Sequence, residues 1–571
     1  MAEAELPLHR LAVDPARAAV ASEGAEDKLP PTPTASSLPI RTDAYDEVID
    51  DDEAEVGDAD AAAALLDGTD GEKRPGGARG RARTASFSFD FSGRLLQLAA
   101  SDDVGAGAAG GGSTDRGSRE RGGKVKEHMS LIGGMALIVG IVIGSGIFSS
   151  PGVVAKETGS VGSALLVWAG AGLLSWAGGS SFAELGVMLP NNGGHQVYLA
   201  AAFGDLAAYC YSFSAVTALK PGSQAISAEY LCRILFHTAF EADPRAAARD
   251  IPTYAVKLVA IAGLLVISAL HAWSTKAGKQ TQVVVTIFKV FALVLVFVGG
   301  LTHIIIAKPA SDFSFAESSS KPAGYALALF SALWTFDGWD AANYIARDIA
   351  PGSLPLIINS SLGVIVVLFL LANVSYFLVL PFEIATGTTT IGLDFGRALA
   401  GPIGGLLFAI IVSISALGAL NGTLYTSSRL IVAASEQGFL PRLFANFNER
   451  QKTPINGILL SSALSTIFVC LGDFSNLTLF YGVCAWIWNL LVVIGLLVLR
   501  VQQPSLKRPY KTFIATPIAF ASTALFLIVL SIFSKPWQSF AAFAFCVAGI
   551  VPYYVHIRHN NTRKAEGIEM T

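Results

Sequence analysis

From Met129 onward the chain is a succession of apolar stretches, each close to the ~20 residues an α-helix needs to cross bilayer hydrocarbon. A backbone in hydrocarbon must satisfy its own polar groups, which leaves only helices and closed barrels. No stretch alternates in and out at strand length, so a transmembrane barrel is excluded. The predicted spans are 129–158, 161–188, 200–236, 253–273, 279–305, 322–346, 355–381, 402–432, 455–472, 475–500, 512–533 and 537–556, twelve in all. Composition agrees: 52% hydrophobic and 15% charged residues exclude a disordered or fibrous chain. The five cysteines (Cys210, Cys232, Cys470, Cys484, Cys546) fall in or beside apolar spans, which suits packing and excludes a secreted disulfide scaffold. The expected fold class is an all-α polytopic membrane protein.

Residues 1–127 read differently, as a disordered cytosolic tail rich in Ala, Gly, Pro and charge. An acidic run extends from Asp46 to Asp60, and the start, MAEAELPLHRLAVD, lacks the cationic and apolar regions of a signal peptide. The piece Arg81 to Ser86 reads either as a kinase site or as a charged patch. Orientation follows from loop charge. In the second half, Arg429, Arg442, Arg450, Lys452, Arg500, Lys507, Arg508 and Lys511 share alternate loops, against only Arg397 and Lys535 in the others. That bias puts both termini, including a short tail at 561–571, in the cytosol. Arg245 and Arg249, in a loop expected outside, weigh the other way.

Three interruptions carry the chemistry. Gly144-Ser145-Gly146 lies in the middle of the first span, where it permits either close helix packing or unwinding. An unwound segment at that depth must be buried or line a wet cavity, and the helix resuming near Ile147 would offer N–H groups to an anion. The sixth span contains Trp334-Thr335-Phe336-Asp337-Gly338-Trp339-Asp340, two carboxylates bracketing a glycine. Either they sit at an interface because the span starts later, or they face a cavity and work there. Lys289, within the fifth span, either snorkels to an interface or is held at depth for a purpose. Paired interruptions in corresponding spans point to a midplane site between inverted repeats.

The blocks Gly144-Ser-Gly-Ile-Phe-Ser-Ser-Pro-Gly, Ser181-Phe-Ala-Glu184-Leu-Gly, Pro190-Asn-Asn-Gly-Gly194, Lys220-Pro-Gly-Ser-Gln, Phe336-Asp-Gly-Trp-Asp and Leu420-Asn-Gly-Thr-Leu-Tyr-Thr-Ser-Ser-Arg429 occur in that order. Together they resemble the L-type amino acid transporters of the amino acid–polyamine–organocation superfamily, in a form like the fungal, methionine-permease-like members. The resemblance spans residues 125 to about 560, and a transporter domain at 128–560 is expected. It implies a five-plus-five inverted repeat with two further helices, helices 1 and 6 being discontinuous. It also implies a sodium-independent, alternating-access carrier of amino acids. Carried over residue by residue, the substrate carboxylate maps to Ile143, Gly144, Ser145 and Gly146. The α-amino group maps to Trp334, Thr335 and Asp337 beside Gly338. Trp334 maps to the aromatic gate, Trp486 to a wall of the side-chain pocket, and Lys289 to a lysine standing where symporters hold sodium.

Departures from the family pattern bear on substrate. Many members are uncharged at Asp337, so its carboxylate would favour a cationic substrate, supply a proton site, or satisfy helix-break donors. Asp340 recurs in relatives that carry cationic amino acids without being confined to them. Large neutral side chains, methionine-like ones included, lead over cationic ones. A sensor that binds amino acids and signals through its tail is the rival from another class, although such tails also serve ubiquitin-ligase adaptors. No cysteine lies between Arg233 and Pro244, so no disulfide-linked heavy chain is expected. Nothing pairs a nucleophile with a base, His195 and His271 lack metal-ligand companions, and no cofactor, metal or nucleic acid is expected. The plasma membrane is the expected location, with the vacuole or another endomembrane as the alternative. Glu184 and Arg429 read as inner-gate charges or as ordinary helix-end charges.

Overall fold

The computed structural model describes residues 128–241, 253–448, 451, 453–471 and 474–557. The tails expected at 1–127 and 561–571 lie outside the described residues, as do Arg245, Arg249, Arg450 and Lys452. Among the described residues every regular element is a helix and none is a strand.

The first span is two helices, α1 (Leu131–Val142) and α2 (Ser150–Thr158), with a short 3-10 turn at Gly146–Phe148 between them. Ser130 starts α1 by accepting the Gly133 N–H at 3.1 Å, and Gly159, at φ 78°, ends α2 in the left-handed region. α3 (Val161–Met188) follows, capped in the same way by Ser160. Its 28 residues reach about 42 Å, enough to cross a bilayer. A short helix α4 (His195–Phe203) stands apart from α5 (Asp205–Ser214) because Gly204, at φ 85°, turns the chain between them. The third span, expected at 200–236, therefore begins five residues later. It runs through a π-helical turn, Ala215–Leu219, into α6 (Lys220–Glu241).

α7 (Thr253–Trp273) and α8 (Thr275–Ile306) are separated by one residue, Ser274, which caps α8 through the Ala277 N–H. That cap draws Lys276 into the helix, ahead of the start expected at 279. α9 (Pro322–Thr335) stops at Phe336, and the chain resumes as a 3-10 helix at Ala341–Asp348. α10 (Leu354–Val379) and a short α11 (Phe382–Gly387) precede α12 (Ile391–Glu436). α12 is kinked at Ala400 and Gly401 just before Pro402, so the eighth span, expected from 402, has a helical stub ahead of it. α13 (Ile455–Leu471), α14 (Phe474–Gln502), α15 (Ala515–Ser534) and α16 (Pro536–Ala548) complete the bundle.

Eight helices among the described residues are long and apolar enough to cross a membrane, and α1 and α13 are shorter apolar helices. α3 packs extensively on α10, and α6 on α12. In span order these are the second with the seventh and the third with the eighth, each pair five apart. Trp168 of α3 sits in an aromatic cluster with Phe336 and Phe369, all fully buried. Large apolar side chains cover much of the outside instead, among them Leu166, Leu173, Val284, Ile287, Phe291 and Trp537, which suits a chain solvated by lipid.

Candidate substrate site

The site begins where two helices fail. α1 ends at Val142, and Ile143 leaves helical geometry at φ −74°, ψ 75°. The N–H groups of Ser145, Gly146 and Ile147 have no hydrogen-bond partner among the described residues. Opposite them, α9 ends at Thr335, and Gly338 takes φ 109°, a conformation that a side chain resists. There the carbonyls of Leu333, Thr335 and Phe336 accept no hydrogen bond among the described residues. Exposed N–H groups at one break and exposed carbonyls at the other are what two interrupted helices must leave. The breaks touch: a Cβ on Gly146 would come within 2.8 Å of Thr335, and one on Gly338 within 2.5 Å of Ile141.

Lys289 stays at depth. Only 1% of it is exposed, and its Nζ donates to the carbonyls of Gly140 (2.6 Å) and Ile143 (2.7 Å), which excludes the snorkelling alternative. From α12, Ser415 Oγ donates to the carbonyls of Ile143 (3.0 Å) and Gly144 (2.8 Å). Lower down, Thr286 donates to Ala136 O, and Gly140 leaves room for Thr286 and Gln282 to approach α1. The broken end of α1 is thus held from two sides by α8 and α12.

Between the breaks lies a cavity of about 120 Å³, comparable to cavities that hold a benzene-sized solute. Gly144, Ser145, Gly146, Trp334, Thr335, Asp337, Gly338 and Asp340 all line it. Both carboxylates therefore sit on the cavity, not at an interface. Ile143 and Lys289 are not on its wall; they lie behind it, joined by their own hydrogen bond. Trp486 is not brought there either. It packs on Phe520 of α15, and Trp488, two residues along α14, lines the cavity in its place. Residues two apart on a helix point to nearly opposite faces, so Trp488 reaches this cavity and Trp486 does not.

The profile of the family described as "Amino acid permease" matches residues 129–555. The chain belongs to the amino acid permease family. It is 30% identical to the human b(0,+)-type amino acid transporter 1 over 76% of this chain and 89% of that protein. With the human cystine/glutamate transporter it shares 29% over 76% and 86%. The human large neutral amino acids transporter small subunit 2 shares 29% over 78% and 84%. These relatives belong to the L-type branch that the sequence blocks resemble. The permease is an amino acid transporter embedded in a membrane, and not an enzyme.

Several residues of the permease's cavity went unread in the sequence. Tyr481 of α14 donates its hydroxyl to Asp337 Oδ2. Lys220, the first residue of α6, places its ammonium 3.9 Å from the centre of the Tyr344 ring, directly after the π-helical turn that re-aims the helix. His195 Nδ1 is 3.7 Å from Asp340 Oδ2 and 3.2 Å from the Tyr344 hydroxyl, while Nε2 meets Asn489 Oδ1 at 2.8 Å. Tyr211 and Tyr344 share a hydroxyl–hydroxyl bond of 2.7 Å, and Tyr211 stacks on His195. Lys220 was legible by the same rule that singled out Lys289, a charge midway along an apolar span. His195 was not, because its partners come from α9's continuation and from α14, far away in sequence.

Proposed function

We propose that the permease is a secondary carrier that moves L-amino acids with large neutral side chains, methionine-like ones among them, by alternating access. In this reading the N–H groups of Ser145 and Gly146 hold the carboxylate of a zwitterion, and the carbonyls at Leu333 to Phe336 receive its ammonium. Trp334, Trp488 and Ala485 leave the side chain an apolar wall. One observation carries it: Ser145 and Gly146, with unpaired N–H groups, and Thr335, with an unpaired carbonyl, line one small cavity, the complement of a zwitterion. Lys289 would stand in for a bound cation, making transport independent of sodium. The expected home is the plasma membrane with both termini cytosolic, on an inverted repeat that the α3–α10 and α6–α12 pairings support. The chain would also work without a disulfide-linked second subunit.

A second reading, cationic side chains, is favoured by Asp337 and Asp340, two carboxylates on the cavity against the single ammonium of Lys220. Counterflow of labelled amino acids in proteoliposomes tests the carrier itself; binding without exchange would leave a sensor. A competition panel of all amino acids at two pH values, run on the native chain and on Asp337→Gly, separates the substrate classes. Loss of cationic substrates alone assigns Asp337 to the side-chain pocket. Loss of every substrate assigns it to the ammonium and helix-break chemistry.

A further inference from the structure

A second, larger cavity of about 1350 Å³ opens where α1 and α8 both begin, beside α12. His128, Lys276, Lys279 and Arg429 line it, and among the described residues no Asp or Glu does. Arg429 Nη1 forms a loose ion pair with Asp348 at 3.8 Å, while Arg429 Nε is buried with no hydrogen-bond partner among the described residues. Arg429 and Lys279 both lie over the Tyr425 ring, which holds their charges toward the same space. Two helix starts, at Leu131 and Thr275, add the positive ends of their dipoles. The crevice is thus a concentrated positive site at one end of the bundle.

Its rim continues into lipid. Val284 lines the cavity and is 66% exposed, and Ile287 and Phe291 follow on the same face of α8 at 62% and 63%. That spacing of three and four residues makes one apolar stripe running from the basic crevice toward the middle of the membrane. A soluble anion would use the crevice and leave the stripe to bulk lipid. A phospholipid with an anionic headgroup uses both, its phosphate among Lys276, Lys279 and Arg429 and an acyl chain along Val284, Ile287 and Phe291.

We propose that this crevice is a binding site for an anionic phospholipid of the cytosolic leaflet, and that the lipid bridges the start of α1 to α8 and α12. The leaflet rests on the orientation proposed above; the site itself requires only that the chain is embedded in a membrane. Binding there couples to α1, the helix whose broken end forms the substrate cavity.

The test uses the full-length purified protein in detergent micelles, titrated with phosphatidylserine, phosphatidylcholine or inorganic phosphate, with the melting temperature as the readout. Phosphatidylserine should raise the melting temperature saturably, and Lys276→Gln/Lys279→Gln should weaken its apparent affinity on the order of tenfold. Phosphatidylcholine and phosphate at matched concentration should leave both proteins unmoved. An equal response of native and double variant overturns the site, and so does a shift given equally by phosphatidylcholine. A shift reproduced by phosphate assigns the crevice to soluble anions and overturns the lipid. Lys276 is exposed, so Lys276→Gln alone carries the test if the double variant does not fold. Because melting is read without substrate, failure of the carrier reading in counterflow leaves this result standing, and the converse holds too.

Discussion

Lys289 Nζ lies within hydrogen-bond distance of two main-chain carbonyls that the break in α1 leaves free, 2.6 Å from Gly140 and 2.7 Å from Ile143. Each hydrogen bond from a charged donor contributes roughly 1.5–3 kcal/mol, and without the ammonium the Gly140 carbonyl stays unpaired while Ile143 keeps only the Ser415 hydroxyl. Lys289→Met should therefore abolish uptake. If the ammonium stands in for a metal cation, Lys289→Ala should regain part of its uptake on addition of a small monovalent cation such as lithium. Unchanged uptake kinetics in the methionine variant would remove the idea. At this scale the sequence was legible where a residue broke a rule: a lysine, two aspartates and a Gly-Ser-Gly in apolar surroundings all proved to be at or behind the cavity. It was opaque where residues obeyed the rules. Tyr481, Tyr211 and Trp488 look like ordinary helix aromatics until three-dimensional packing turns them inward, and no periodicity separates Trp488 from Trp486.

Among the elements, the two broken helices depend on backbone conformations that few residues adopt. Gly338 combines φ 109° with a neighbour, Ile141, that a Cβ would meet at 2.5 Å, whereas Gly352 has φ 79° and open space around it. Both positions carry left-handed strain for any other residue, of about 1–3 kcal/mol, but only Gly338 adds a clash inside the site. Gly338→Ala should accordingly lower the melting temperature more than Gly352→Ala and remove uptake, while Gly352→Ala keeps it. Equal melting losses in the two variants, with uptake retained in both, would show that the sixth-span break tolerates a side chain. The positions of most helices were readable because apolar length and Ser or Pro starts mark them. Their ends were less so: the starts of α5 and α8 were set by Gly204 and Ser274, single residues whose effect depends on how the chain turns there.

Across the whole molecule, α3 is tied to α14 and to the start of α15 by an ion pair whose carboxylate is fully buried and whose guanidinium is nearly so. Glu184, 0% exposed, accepts Arg500 Nε at 3.0 Å, a second contact from Arg500 Nη2, and the Thr512 N–H at 2.9 Å. Removing one partner of such a pair strands the other and costs about 3–5 kcal/mol. Glu184→Gln should lower the melting temperature by several degrees, and Glu184→Leu/Arg500→Met should recover part of the loss. A double variant no more stable than the single one would argue that the pair is held by more than charge. Lys289 has a consequence on the same scale. A sodium ion is released inside the cell and must be pumped out again, which is how a symporter extracts work from a gradient. An ammonium tethered to the chain goes back to its starting point with every turnover and crosses nothing. If the ammonium holds that place and keeps its proton, it can shape the site but drive no accumulation, so the steady-state ratio of amino acid across the membrane must be set by whatever else makes the crossing.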